Sequence, residues 1–174
     1  MSLKSTTTAK LEAFAAKAVP RLPAKVVAKL AGEPLVIDAR TLDPYIRLAV
    51  NQSTDGPAMS TLTPEVGRAT ARHAFAATNG ARTAGVAVRD RTIPGPNGDL
   101  GVRLYHPSDA AGLLPGVLFM HQGGWVIGDL DSCDTFCTRL AAELGAVVVS
   151  LDYRLAPEHQ LPAQHHDADA AWAW

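Results

Sequence analysis

Residues 116–151 read GVLFMHQGGWVIGDLDSCDTFCTRLAAELGAVVVSL, and their pattern decides the fold class. Val117, Leu118, Phe119 and Met120 form a short continuous apolar run ending at His121, as in strands buried on both faces. Cys133, Phe136, Cys137, Leu140, Ala141 and Leu144 then recur at i, i+3, i+4 spacing, which predicts a helix with Ser132 as N-cap and Gly145 as terminator. A second apolar run, Ala146 to Leu151, follows directly. Two buried strands joined by a helix make a βαβ unit, and its right-handed crossover makes the strands parallel neighbours in one sheet.

Upstream, Val86, Val88 and Ile93 open a β-type stretch, and Leu100, Val102 and Leu104 alternate with Gly101, Arg103 and Tyr105. Asn97-Gly98 between them predicts a hairpin turn. Before Gly85 the pattern is helical. Asp43 before Pro44 and Thr63 before Pro64 are helix starts, Asn79-Gly80 closes the second helix, and Ser53 to Pro57 reads as a loop. Pro162 opens a last helix whose inner face is expected to hold Ala168, Ala171 and Trp172. The expected division is a helical N-terminal region over residues 1–84 and an α/β core over 85–174.

The chain has 174 residues, 47% hydrophobic and 19% charged, enough for one core. With 16 basic and 17 acidic residues it lacks the cationic excess that phosphate-backbone binding draws on, so no nucleic-acid partner is expected. Met1 to Pro20 alternates Lys with Thr and Ala and holds no secretory apolar segment, and no run reaches the ~18 residues of a membrane span. The two cysteines, Cys133 and Cys137, lie four apart on one helix face and read as small buried hydrophobes. A reduced, cytoplasmic protein is the expectation.

The first apolar strand exits into His121-Gln122-Gly123-Gly124-Trp125-Val126-Ile127-Gly128. Glycines there let the backbone turn sharply and aim N–H groups at an anion or developing oxyanion above the sheet, although a plain tight turn uses glycine too. The second exits into Asp152-Tyr153-Arg154-Leu155-Ala156-Pro157-Glu158-His159, with Leu161-Pro162-Ala163 beyond. With Gly128-Asp129-Leu130-Asp131-Ser132 between them, these stretches resemble the hormone-sensitive-lipase-like family of α/β-hydrolase esterases. That family carries an H-G-G-G-[FW]-x-x-G loop and, about thirty residues on, D-Y-R-L-A-P-E-H.

The resemblance implies an α/β-hydrolase fold, mostly parallel in its sheet, with residues 1–84 as a helical N-terminal cap. It implies a serine esterase or lipase that works on small-molecule carboxylic esters through an acyl-enzyme, without metal or organic cofactor. His121 opens the oxyanion-hole loop, Gln122 and Gly123 donate N–H groups, and Gly124 keeps the bend. Gln122 stands where the family has glycine, and a left-handed backbone there would cost ~1–2 kcal/mol. Asp152, Tyr153 and Arg154 are expected to support the loop, Asp152 and Arg154 through charge-assisted hydrogen bonds. Asp129 and Asp131 complement a helix dipole.

A G-x-S-x-G elbow, with acid and histidine after it, is the other half of such a site. None of Ser2, Ser5, Ser53, Ser60, Ser108, Ser132 or Ser150 has glycine two residues away on both sides. The expectation is therefore the N-terminal half of an esterase, cut before its nucleophile and inactive alone. The first alternative is a non-catalytic α/β-hydrolase module. The second is a metal-binding protein built on His159, His165, His166, Asp167 and Asp169.

Overall fold

The computed structural model describes residues 18–53 and 58–174. Its contacts divide the chain into two compact units, Met1–Thr63 and Pro64–Trp174. This boundary falls earlier than the expected 84/85. The helix beginning at Pro64 belongs with the sheet because its Arg68, Arg72 and Asn79 side chains bond to Val126, Asp129 and Asp131.

In the first unit, α1 (Ala24–Ala31) follows Pro23 and packs Val27 and Ala31 inward. A small antiparallel pair, β1 (Val36–Ile37) and β2 (Arg40–Thr41), turns through Asp38 and Ala39, both left-handed. Sequence periodicity had no hold on strands of two residues each. The predicted Asp43 cap is in place on α2 (Pro44–Ser53), where one carboxylate oxygen accepts from the N–H groups of Tyr45 and Ile46 at 2.9 and 3.3 Å. Tyr45 donates to the Leu22 carbonyl at 2.6 Å and Asn51 to that of Ala31 at 2.9 Å, tying α2 to the segment before it. Ser53, expected to open a loop, ends α2, and the rest of that stretch, residues 54–57, lies outside the described residues. The reading of Met1 to Pro20 falls outside them up to residue 17.

The second unit opens with α3 (Pro64–Thr78), followed by the hairpin β3 (Val86–Gly95) and β4 (Gly98–Pro107). Gly95 pairs with Gly98, so Pro96-Asn97 forms the tip, one residue before the predicted Asn97-Gly98. Proline presets the first corner of a turn, and that preference overrides the Asn-Gly signal. Next come β5 (Gly116–Met120), α4 (Asp134–Leu144), β6 (Val147–Asp152) and α5 (Ala163–Ala173).

The sheet order is β3-β4-β6-β5. β4 joins β6 antiparallel, and β5 lies parallel to β6 with Val117 opposite Val148 and Met120 opposite Leu151, which is the predicted βαβ unit. Alternate residues feed two cores. Leu151, Val102, Ile93 and Ala171 pack with Leu118 and Met120, while Val148, Tyr105, Cys137 and Ala141 pack with Val117 and Phe119. Each fully buried Leu or Val side chain contributes ~1.5–3 kcal/mol relative to exposure. β5 was read as buried on both faces. It is the outer strand among the described residues, and Val117 to Met120 are half-buried.

Two helix readings change in detail. Asp129, not Ser132, is the capping residue, and it begins a 3-10 turn (Leu130–Cys133) ahead of α4. Its carboxylate accepts from the Ser132 N–H at 2.9 Å and hydroxyl at 2.6 Å, and the Ser132 hydroxyl accepts from the Asp129 N–H at 3.1 Å. Gly145 ends α4 in the left-handed conformation, as predicted. On α5 the inner face holds Gln164, Asp167 and Ala171, and Trp172 is 76% exposed. An apolar pattern cannot reveal that face, because two of its three buried residues are polar. No helix among the described residues is long and apolar enough to cross a membrane.

Candidate functional site

Parallel pairing of β5 and β6 brings their exits side by side, so the loop after Met120 lies against the segment after Asp152. Crevices at the carboxyl ends of such strands are where open α/β sheets place ligands. His121 and Tyr153 lead the two exits. Their rings stack at 4.3 Å and 17°, and both are nearly fully buried. The Tyr153 hydroxyl donates to the His121 carbonyl at 2.7 Å and lies 3.3 Å from His121 Nδ1, while Nδ1 is 3.1 Å from the Gln122 carbonyl. Burial pushes the Tyr153 hydroxyl up to about 12, so it stays a proton donor at neutral pH.

The loop itself curls tightly. The Gly123 carbonyl accepts from the N–H groups of Val126 and Ile127, each at 3.1 Å. Gly123 has φ 142° and a Cβ there would run into the Ile127 carbonyl, so no other residue fits. Gly128 backs onto the His121 ring, which a Cβ would strike. The Gln122 N–H turns to the Cys133 thiol, and among the described residues no acceptor engages those of Gly123 or Gly124. They are the donors an anion above the sheet would meet.

The strain expected at Gln122 is absent, since Gln122 is not left-handed. The left-handed residue without glycine's freedom is Trp125, at φ 62° directly after Gly124 at 59°. Its backbone cost, ~1–2 kcal/mol, is offset by anchorage on both sides. The Trp125 carbonyl accepts from the Ala156 N–H at 2.8 Å, and its ring meets His165 edge-on at 5.9 Å. The Gln122 side chain turns inward instead, where Oε1 accepts from the Cys133 thiol at 2.9 Å. Both cysteines are free and buried as expected, and burial raises both thiols, Cys137 to about 12.

Arg154 does not reach the loop. Its N–H and guanidinium grip the fully buried Asp167 at 2.7–3.0 Å and so fasten the exit of β6 to α5. Its side chain leaves the strand toward α5 because Asp167 is the buried carboxylate in reach, and a buried charge must be paired. The Gln164 amide completes the joint by donating to the carbonyls of Arg154 and His159 at 2.8 and 2.7 Å. Asp152 stands exposed at the end of β6. Of the three residues expected to support the loop, Tyr153 is the one that hydrogen-bonds to it, while Asp152 lies within electrostatic reach of His121.

Asp129 does more than face a helix dipole. Burial pushes its carboxyl up, but the bonds from Ser132 and Arg72 outweigh that and hold it below the usual carboxylate range. Asp131 pairs with Arg103 at 2.7 Å. His159, His165, His166 and Asp169 are exposed, Asp167 is taken by Arg154, and no metal-binding cluster is found among the described residues. The Gln122–Cys133 bond, the left-handed Trp125 and the contacts of Arg68 escaped sequence reading. A positively charged residue on a helix facing the loop gave no motif by which to find it.

Residues 117–174 match the family described as alpha/beta hydrolase fold. The carboxylic ester hydrolase LipN of Mycobacterium tuberculosis is 40% identical over 156 residues, which is 87% of this chain and 40% of that protein. The ethyl acetate hydrolase of Pseudomonas putida is 46% identical over 77 residues, 43% of this chain and 24% of its own length. Among solved structures, the hyperthermophilic esterase of Pyrobaculum calidifontis is similar at a TM-score of 0.68 and 35% identity, over 76% of this chain and 43% of that one. The chain thus spans less than half the length of these relatives.

Proposed function

We propose that the chain, whose residues 117–174 match the family described as alpha/beta hydrolase fold, supplies the oxyanion-binding loop of a serine-type carboxylic ester hydrolase. The observation that carries the reading is the pair of unengaged N–H groups at Gly123 and Gly124, held on a loop that hydrogen bonds and close packing fix at the carboxyl edge of the sheet. When a serine oxygen bonds to the ester carbonyl carbon, the carbonyl oxygen takes the negative charge. Donors already aimed at that oxygen stabilise the tetrahedral species more than the substrate, and one such donor is worth ~2.7–4 kcal/mol. Collapse expels the alcohol and leaves an acyl-enzyme, which water then hydrolyses.

His121 and Tyr153 hold the base of the loop, and Gly124 keeps its bend. The nucleophile, acid and base lie outside residues 1–174, consistent with the lack of a glycine-flanked serine among the seven present. The substrate class is a small-molecule carboxylic ester. The relative named for ethyl acetate supports a short one. The chemistry so written draws on no cofactor. The helices of the N-terminal region take the part of a cap, and two buried free thiols suit the reducing cytoplasm.

The natural gene product that contains residues 1–174 is expected to hydrolyse p-nitrophenyl acetate or butyrate and to take one equivalent of a fluorophosphonate probe on a serine other than these seven. The polypeptide 1–174 alone is expected to do neither. A gene product inert in both assays would favour a non-catalytic α/β-hydrolase module.

A further inference from the structure

Arg68, on the second turn of α3, ends in a guanidinium that touches three separate places. Nε donates to the Val126 carbonyl at 2.9 Å, and Nη2 donates to the Ala156 carbonyl at 2.8 Å. Nη1 and Nη2 also grip the two oxygens of Glu158 at 2.8 and 2.6 Å. The Ala156 N–H in turn donates to the Trp125 carbonyl at 2.8 Å. One side chain therefore closes a ring of hydrogen bonds through the loop after β5 and the segment after β6. The arginine side chain is only 18% exposed, and its bonds to the Val126 and Ala156 carbonyls are part-buried, whereas Glu158 at 52% exposure holds the fork from the solvent side.

We propose that Arg68 is a positioning residue of the oxyanion loop, setting the orientation of its peptide groups without touching substrate. The connection runs through planar peptides. Holding the Val126 carbonyl fixes the turn in which the Val126 and Ile127 N–H groups bond to the Gly123 carbonyl. In a trans peptide the Gly124 N–H lies opposite that carbonyl, so orienting the one orients the other. Trp125, left-handed between them, would relax toward a commoner backbone conformation if its anchors were loosened. The job needs donors in a rigid planar fork, which arginine has and lysine lacks. Glu158 balances the charge and keeps the fork in plane.

The catalytic part of this proposal rests on the ester-hydrolase reading above, whereas the holding of the loop does not. Arg68→Met and Arg68→Lys would be made in the natural gene product. Amide hydrogen exchange is followed over residues 123–127, with β3 and β4 as the internal reference. Both variants are expected to speed exchange in the loop about tenfold or more and to leave the hairpin unchanged. With p-nitrophenyl butyrate, kcat is expected to fall about 10–100-fold while KM stays within about twofold, because misplaced donors act on the transition state. Loop exchange at the wild-type rate, or acceleration spread evenly over the hairpin as well, would overturn the proposal. So would full kcat in Arg68→Lys, which folds with its charge intact. A wild-type protein that hydrolyses no ester would remove the ester-hydrolase reading, and the exchange comparison would still decide whether Arg68 holds the loop.

Discussion

The Cys133 thiol donates a hydrogen bond to Gln122 Oε1 at 2.9 Å, and so ties the side chain of a residue in the glycine loop after β5 to a buried position at the head of α4. This is how a bulky residue occupies the place where the resembled family carries glycine. The Gln122 backbone stays outside the left-handed region, and both its N–H and its side-chain oxygen meet the Cys133 thiol. Cys133→Ala deprives the Gln122 amide oxygen of a part-buried donor and is expected to destabilise the fold by about 0.5–1.5 kcal/mol, with Cys133→Ser losing less. Urea unfolding of the two variants measures the difference. Equal stability in all three proteins would mean the thiol contributes nothing.

Gly123→Ala sets a methyl group against the Ile127 carbonyl at a φ that side-chain-bearing residues rarely adopt. The loop must open, and the two donor N–H groups move with it. Hydrolysis by the natural gene product is expected to fall about 100-fold or more, the scale of losing one oxyanion donor. Far-ultraviolet circular dichroism should stay unchanged, which separates loop damage from unfolding.

Asp167 is fully buried while its partner Arg154 is 16% exposed, and removing the buried partner makes their pair costly to break. Asp167→Ala leaves a guanidinium without its carboxylate and frees α5 from the exit of β6. A loss of about 3–5 kcal/mol is expected in denaturant titration. A loss under 1 kcal/mol would show that Arg154 finds water easily and that the joint is not buried in solution.

Arg68 beside Glu158 holds that carboxyl down at about 2. A depressed carboxylate adds stability that is complete above the unfolded value near ~4.3 and is lost as pH falls through the folded one. The link between the two loop segments should therefore survive through pH 3 and fail only toward pH 2. Carbon-13 titration of the Glu158 carboxyl is expected to give its midpoint there. In Arg68→Met the midpoint should return to the ordinary glutamate range.

How much of this was legible in the sequence follows from what each signal depends on. The βαβ unit, the hairpin and the Asp43 cap depend on local periodicity and short-range hydrogen bonds, so residues 36 to 53 and 86 to 151 carried them, the two-residue strands excepted. The glycine loop was legible because Gly123 and Gly128 answer a backbone demand made within eight residues. Long-range polar choices were not. Arg154 could have turned to the loop or to α5, and only the fold shows that Asp167 is buried within its reach. Arg68 lies 58 residues from Val126 and 90 from Glu158, and nothing in a helical pattern singles it out. The inner face of α5 misled an apolar reading for the same reason, since Gln164 and Asp167 are buried by pairing.

The most direct test of the account is a crystal structure of the natural gene product after reaction with a p-nitrophenyl alkylphosphonate, whose phosphonyl oxygen stands in for the oxyanion of the tetrahedral intermediate. The account predicts that oxygen at about 2.7–3.1 Å from the backbone nitrogens of Gly123 and Gly124, with Gln122 Oε1 still on Cys133. A phosphonyl oxygen held by other donors, with the loop from His121 to Gly128 standing clear of it, would contradict it.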